Sequence, residues 1–337
     1  MSTEGGVKAV VAALCANVGI AIAKFVAFFV TGSSSMLSEA IHSVADSFNQ
    51  VLLLIGGHRA KRKADDQHQF GYGRTRFVYG FVVSIILFLV GGLFAVYEGI
   101  HKIQHPEPLN DPQWAIGVLL VAMVLEGFSF RTAIKEANKA RGRKSMFRFV
   151  RQSRQPELPV VLLEDFGALI GLVFALTGVT MSIVTGSGVW DGIGSTMIGM
   201  LLLVIAVFLS LEMSSMLIGE GAMPEEQEQI RVALEAGDDV QRIIHLRTLH
   251  VGPDDILVAA KIAVNGDDSA AAIANAIDAA ERRVREVVPT ATYIYLEPDL
   301  DRYKDQDALA NRDASTPLTD NEHLTETEEK NGCLQGS

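Results

Sequence analysis

Cysteine is nearly absent: Cys15 and Cys333 are the only two in the chain. They offer neither a disulfide framework nor a CxxC metal knuckle. No HExxH run occurs, so the usual signature of a zinc hydrolase is missing. The second half lacks a basic face. Residues 219–337 carry 11 Lys and Arg against 25 Asp and Glu, the wrong balance for a nucleic-acid binder. Met1–Lys8 has no basic stretch leading to a small-residue cleavage site, and no Arg-rich amphipathic pattern. It therefore reads as neither a secretory signal nor a transit peptide.

What the chain has in plenty is apolar sequence, 49% of all residues. Six runs, at about 9–31, 36–57, 77–101, 113–131, 160–184 and 193–218, approach the roughly 20 residues that a membrane-spanning helix needs. The connections alternate in charge. Arg59, Lys61, Arg62, Lys63, Arg74 and Arg76 lie between runs 2 and 3, and nine more basic residues lie from Arg131 to Arg154. The opposite connections hold one, Lys102. Basic loops stay in the cytoplasm, which places both termini there. The expected setting is an integral protein of a bacterial inner membrane.

Residues 1–218 carry 18 basic against 15 acidic residues, so the charge balance turns over near Gly219. Two domains are expected, a six-helix membrane domain over 1–218 and a small soluble domain over 219–300. In the second, Pro224 opens a helix over 225–236. Strands follow at Val240–Val251 and Ile256–Val264 around the turn Gly252-Pro253-Asp254-Asp255. A helix over Ser269–Val287 and a strand over Thr290–Glu297 complete an α-β-β-α-β unit. A sandwich of some 80 residues is marginal alone, which makes dimerisation plausible. From Asp301 the chain is polar and charged, and reads as a disordered acidic tail.

The second run is interrupted by Ser38, His42 and Asp46, spaced four apart and so on one helix face. An imidazole and a carboxylate at the centre of a span are expensive to bury and by default mark an ion path. They also make half of a zinc site. A polar seam between helices is the plainer reading, but neutral residues would serve that purpose at lower cost. The fifth run offers Glu164 and Asp165, about 100° apart on a helix, so only one can face the second run squarely. The other is left for a proton, an outer hydrogen bond or an Arg of the basic loop.

Other polar residues have plainer explanations. Lys24, about 10 Å from the outer end of the first run, is expected to snorkel to the interface. Glu98, Glu126 and Glu212 are expected near helix ends, where a carboxylate is cheap, and Glu39 lies near an outer end and off the His42 face. Asn17 and Asn49 are either outer-shell hydrogen-bonders or interhelix glue. Asp65 and His68 form either a weak ion site at the cytoplasmic mouth or part of a glycine-rich turn. His245 and His250 lie five apart on one strand, on opposite faces, and are expected to be structural.

The segment Ser-Met-Leu-Ser-Glu-Ala-Ile-His-Ser-Val-Ala-Asp-Ser-Phe-Asn-Gln (35–50), Leu-Leu-Glu-Asp (162–165) and the His-x-Phe-Gly-Tyr-Gly-Arg loop from His68 resemble the cation diffusion facilitator family. The likeness is to its zinc-transporter-9-like branch and covers about residues 7–300. It implies export of divalent metal in exchange for protons by a homodimer. The family's transport ligands fall on His42, Asp46, Val161 and Asp165. Val161 cannot ligate, and the fourth position stays open between Glu164, a water and Asn17. The family's loop site matches at Asp65 and His68, with Tyr72 at its third position. In the soluble domain only Glu297 matches, so that domain is expected to dimerise without sensing metal.

The function expected from all this is zinc/proton antiport, with Zn²⁺ as cargo and no resident cofactor. Mn²⁺, Fe²⁺ and Co²⁺ accept similar ligands, and His42 tilts the choice to zinc. Two rivals are an intramembrane metal hydrolase, which lacks its base motif, and a non-transporting membrane adaptor that uses His42 and Asp46 as a seam.

Overall fold

In the computed structural model, residues 3–142, 145–153, 157–237, 239–265 and 267–300 are described, with side chains in the first helix from Asn17 onward. The tail expected over 301–337 lies outside the described residues, as do the side chain of Cys15 and Cys333 altogether. The membrane part consists of α1 (Thr3–Thr31), α2 (Ser34–Ala60), α3 (Thr75–Gln104), α4 (Gln113–Ala140), the short α5 (Met146–Gln152), α6 (Glu157–Thr185) and α7 (Val189–Ile218).

The six apolar runs correspond to α1, α2, α3, α4, α6 and α7, but hydropathy alone finds fewer spans. Four of the described helices, α3, α4, α6 and α7, are long and apolar enough to cross a membrane, and Asn17–Thr31 of α1 is an apolar helix too short for that measure. The polar residues of α2, from Ser34 to Gln50, hold that helix below it. They are the same residues that make it interesting. The fourth helix runs nine residues past its apolar stretch, into a basic end with Arg131, Lys135 and Lys139. Helical propensity carries it on after hydropathy stops.

The helices bury Met36, Leu53, Val83, Leu87, Leu119, Leu172, Val179, Ile198, Leu202 and Leu209 in one core. Large apolar side chains such as Phe29, Phe48, Val184 and Leu211 face outward, as suits a surface solvated by lipid. A π-helical stretch, Leu87–Leu93, widens the middle of α3. Close to it, α3 and α7 touch backbone to backbone. A methyl group on Gly99 would lie 2.7 Å from the Gly192 carbonyl oxygen, and one on Gly199 would lie 2.8 Å from that of Gly92. Small residues permit such approaches between membrane helices. Gly99→Leu is expected to lower the unfolding free energy in detergent by about 1–3 kcal/mol through overpacking. Gly117→Leu, where a methyl group meets nothing within 4 Å, is expected to leave it unchanged. Equal losses in the two variants would contradict this packing.

The C-terminal part contains α8 (Pro224–Glu235), β1 (Arg242–His250), β2 (Ile256–Ala263), α9 (Ala270–Val287) and β3 (Tyr293–Asp299), in a sheet of order β1-β2-β3. The short turn makes β1 and β2 a hairpin. The hydrogen bonds Ile256 N to Thr290 O and Val264 N to Asp299 O run in the same sense, so β2 and β3 are parallel, with α9 as the crossover. Ser269 caps α9 by accepting from Ala272 N. Arg283 of α9 donates to the carbonyls of Ala233 and Leu234 at the end of α8 and to Asp239. The third strand begins three residues later than expected, after the bend at Thr290–Thr292.

Candidate metal centre

The centre is built on α2, whose N-terminus is held in two ways. Ser33 caps it by accepting from Met36 N. Asp191 of α7, fully buried, accepts from Ser33 Oγ (2.6 Å), Ser34 N (2.6 Å) and Ser35 N (3.3 Å). A carboxylate against the positive end of a helix is well placed.

Down the helix, Glu39, His42, Asp46 and Asn49 follow at intervals of three, four and three, which keeps them on one face. Glu39, His42 and Asn49 are fully buried, and the Asp46 side chain is 13% exposed. Each of the four has a buried polar atom without a hydrogen-bond partner: Glu39 Oε1, both imidazole nitrogens of His42, Asp46 Oδ1 and Asn49 Oδ1. His42 Nδ1 lies 3.4 Å from Asp46 Oδ1 without the alignment of a hydrogen bond. Buried polar groups are nearly always satisfied, so four such residues in line on one face invite a ligand. Glu39 therefore belongs to this stripe, where an offset from the His42 face had been expected.

The neighbours on α6 diverge. Glu164 Oε1 accepts from Asn49 Nδ2 at 2.7 Å, so it is Glu164 that faces α2. Asp165 Oδ2 accepts from Ser129 Oγ of α4 at 2.8 Å. Val161 packs with the apolar cluster of Ala133, Ala137, Phe149 and Leu162. Glu126, expected near a helix end, is buried in mid-helix because α4 extends past its apolar run. It lies within electrostatic reach of His42, Asp46 and Asp165. The acids of α2, α4 and α6 thus converge, yet among the described residues no three His, Cys, Asp or Glu side chains stand close enough to hold a metal together.

Lys24 does not snorkel. It is fully buried, with Nζ 2.9 Å from Glu39 Oε2 and 2.7 Å from Ser43 Oγ. An anion across the helix pair offers the ammonium more than the distant interface does, and that anion lies outside the first run.

Comparison with known proteins decides what kind of chain this is. The description "Cation efflux transmembrane domain" matches residues 10–218. This chain belongs to the cation efflux family. A second description, "Cation efflux protein, cytoplasmic domain", matches residues 222–299 of this cation efflux protein. It is 32% identical over 268 residues to the proton-coupled zinc antiporter SLC30A9, mitochondrial, of Xenopus laevis, covering 79% of this chain and 48% of that one. The Homo sapiens protein of the same name is 31% identical, with coverages of 78% and 47%. Metal tolerance protein C4 of Arabidopsis thaliana is 25% identical, with coverages of 86% and 73%. The chain spans about half the length of the SLC30A9 relatives it matches.

In this cation efflux protein the loop after α2 ties itself together. Asp65 Oδ1 accepts from the backbone N–H groups of Gln67 and His68, and Oδ2 accepts from Tyr72 Oη at 2.7 Å and from Arg62. These bonds, led by that of Tyr72, hold the Asp65 carboxyl below its usual pKa and raise that of the phenol. His68 Nδ1 stands 3.6 Å from Asp65 Oδ1, and its ring lies against Tyr72. Of the two readings of this loop, the bonds favour the turn. In the C-terminal part Glu297 Oε1 is 3.1 Å from Lys261 Nζ, which Asp299 also approaches at 2.9 Å. Those two contacts raise the lysine pKa, Asp299 the more. Glu297 thus has a cation already. On β1, His245 is exposed and His250 buried.

Proposed function

We propose that this protein exports zinc across a membrane in exchange for protons. His42 and Asp46 of α2 and Asp165 of α6 hold the ion, with Glu164 beside them. The observation that carries the proposal is the line of buried, unpartnered donor atoms on α2 inside a chain of the cation efflux family. The names of the SLC30A9 relatives support zinc and proton coupling. Imidazole with carboxylates suits Zn²⁺, and Mn²⁺, Fe²⁺ and Co²⁺ follow as weaker cargoes.

Coupling follows from the ligands. They bind metal only when deprotonated, so Zn²⁺ and protons compete for one site. Alternating access then delivers each to the opposite side. Asp165 leaves Ser129 for the ion when the site assembles. Asp65 and His68 serve the loop's own turn. Residues 1–218 form the six-helix transport domain and 219–300 a cytoplasmic domain through which two copies pair. The basic connections face the cytoplasm, and the inner membrane of a bacterium is the setting proposed.

The test is metal uptake by the full chain reconstituted in vesicles under an imposed pH gradient. Zinc is expected to enter fastest, ahead of manganese, iron and cobalt. A protein that is folded but moves none of the four would be no transporter, and the adaptor reading would replace this one.

A further inference from the structure

We infer that Glu39 is a second cation station one helical turn outward of His42, and that Lys24 is the tethered cation that fills it when metal is absent. This rests on the transporter reading and adds a step to it.

Lys24 and Glu39 are both fully buried and 2.9 Å apart. As glue the pair is a poor choice. Taking two ions out of water is costly, and neutral packing in their place is often as stable or more so. The carboxylate is also only half used. Lys24 takes Oε2, while Oε1 is buried with no partner. Gly171 of α6 makes the space for that free oxygen, since a methyl group there would lie 2.6 Å from Oε1. Glu39 thus presents a bare ligand atom in a pocket that any larger residue at 171 would fill.

Its position fits a path. Residues three apart on a helix are neighbours on one face, with a rise of about 4.5 Å between them. Neither nitrogen of His42 is engaged in a hydrogen bond, so the ring is free to share an ion with Asp46 on one side and Glu39 on the other. The lysine has somewhere to go. Its second contact is Ser43 Oγ at 2.7 Å, and Asp46 and Glu126 lie within its electrostatic reach. A divalent cation arriving at Glu39 displaces the ammonium toward those groups. When the ion leaves outward, Lys24 returns and closes the station to back-binding.

The test uses the full chain in vesicles for rates, and equilibrium zinc binding to the purified protein. In Lys24→Met with Glu39→Gln, both charges are gone and no ion is stranded. Its maximal rate is expected to fall about tenfold, the scale on which a ligand's partner acts, with zinc affinity unchanged. Lys24→Met alone frees Glu39 to retain metal, so it is expected to bind zinc more tightly than wild type and to turn over more slowly. Lys24→Arg keeps the charge and grips the carboxylate with two N–H groups. It is expected to slow the maximal rate and to weaken zinc binding, and it decides the matter if the double variant fails to fold.

A folded double variant with the wild-type rate overturns the station, as does wild-type rate in Lys24→Arg if the double variant does not fold. Absence of zinc flux in the wild type would instead defeat the transporter reading itself, and its survival in Asp46→Asn would place the transport site elsewhere.

Discussion

Zinc flux into vesicles is expected to fall by about a hundredfold or more in Asp46→Asn and in His42→Ala, since loss of even an outer-shell partner costs 10–100-fold at a metal site. Asparagine keeps the shape of aspartate and removes only the charge and the second equivalent oxygen. Alanine at 42 removes both nitrogens that the structure leaves unpartnered. Folding is expected to survive either change. Destabilisation by a lost polar group comes mainly from the partner stranded behind it. The two imidazole nitrogens and Asp46 Oδ1 have no hydrogen-bond partner to strand. The thermal midpoint of Asp46→Asn should therefore match wild type, and that of His42→Ala should fall only by what the vacated space costs, while transport disappears in both. Wild-type flux in either would place the site elsewhere, and a shared collapse of the midpoint would make the stripe a seam.

Asp191→Ala is expected to show the opposite signature. That carboxylate accepts from Ser33 Oγ, Ser34 N and Ser35 N, all three at the buried start of α2. Each stranded donor costs about 1–3 kcal/mol, so a loss of about 3 kcal/mol or more is expected in denaturant unfolding of the purified protein. Asp191→Asn retains one acceptor oxygen and should lose less. An alanine variant with the wild-type unfolding midpoint would show that water or a rearranged serine replaces the cap.

These contrasts also explain what a reader of the sequence can and cannot see. The six runs, their order and the elements of the C-terminal part are visible, because hydropathy and capping are local properties. His42 and Asp46 stand out for the same reason, as ionisable residues within an apolar run. Lys24 is misread because its partner lies on the next helix, and a lone lysine offers no sign of which way it turns. Glu126 is misread because the fourth run loses hydropathy at Arg131 while its helix continues to Ala140. Glu164 and Asp165 are visible as a pair, but neighbouring helices decide their division. Asn49 draws one toward α2 and Ser129 draws the other toward α4. Asp191 gives no local signal at all, since an acid beside a helix start is common and its three serine-segment donors are some 157 positions away.

The central claim is that one site serves both zinc and protons. The most direct test is the internal pH of vesicles containing the full chain, followed as zinc is added outside with no pH gradient imposed. Antiport predicts that the interior becomes more alkaline as zinc enters, with both signals lost in Asp46→Asn. Zinc entry with an unchanged or falling internal pH would contradict it.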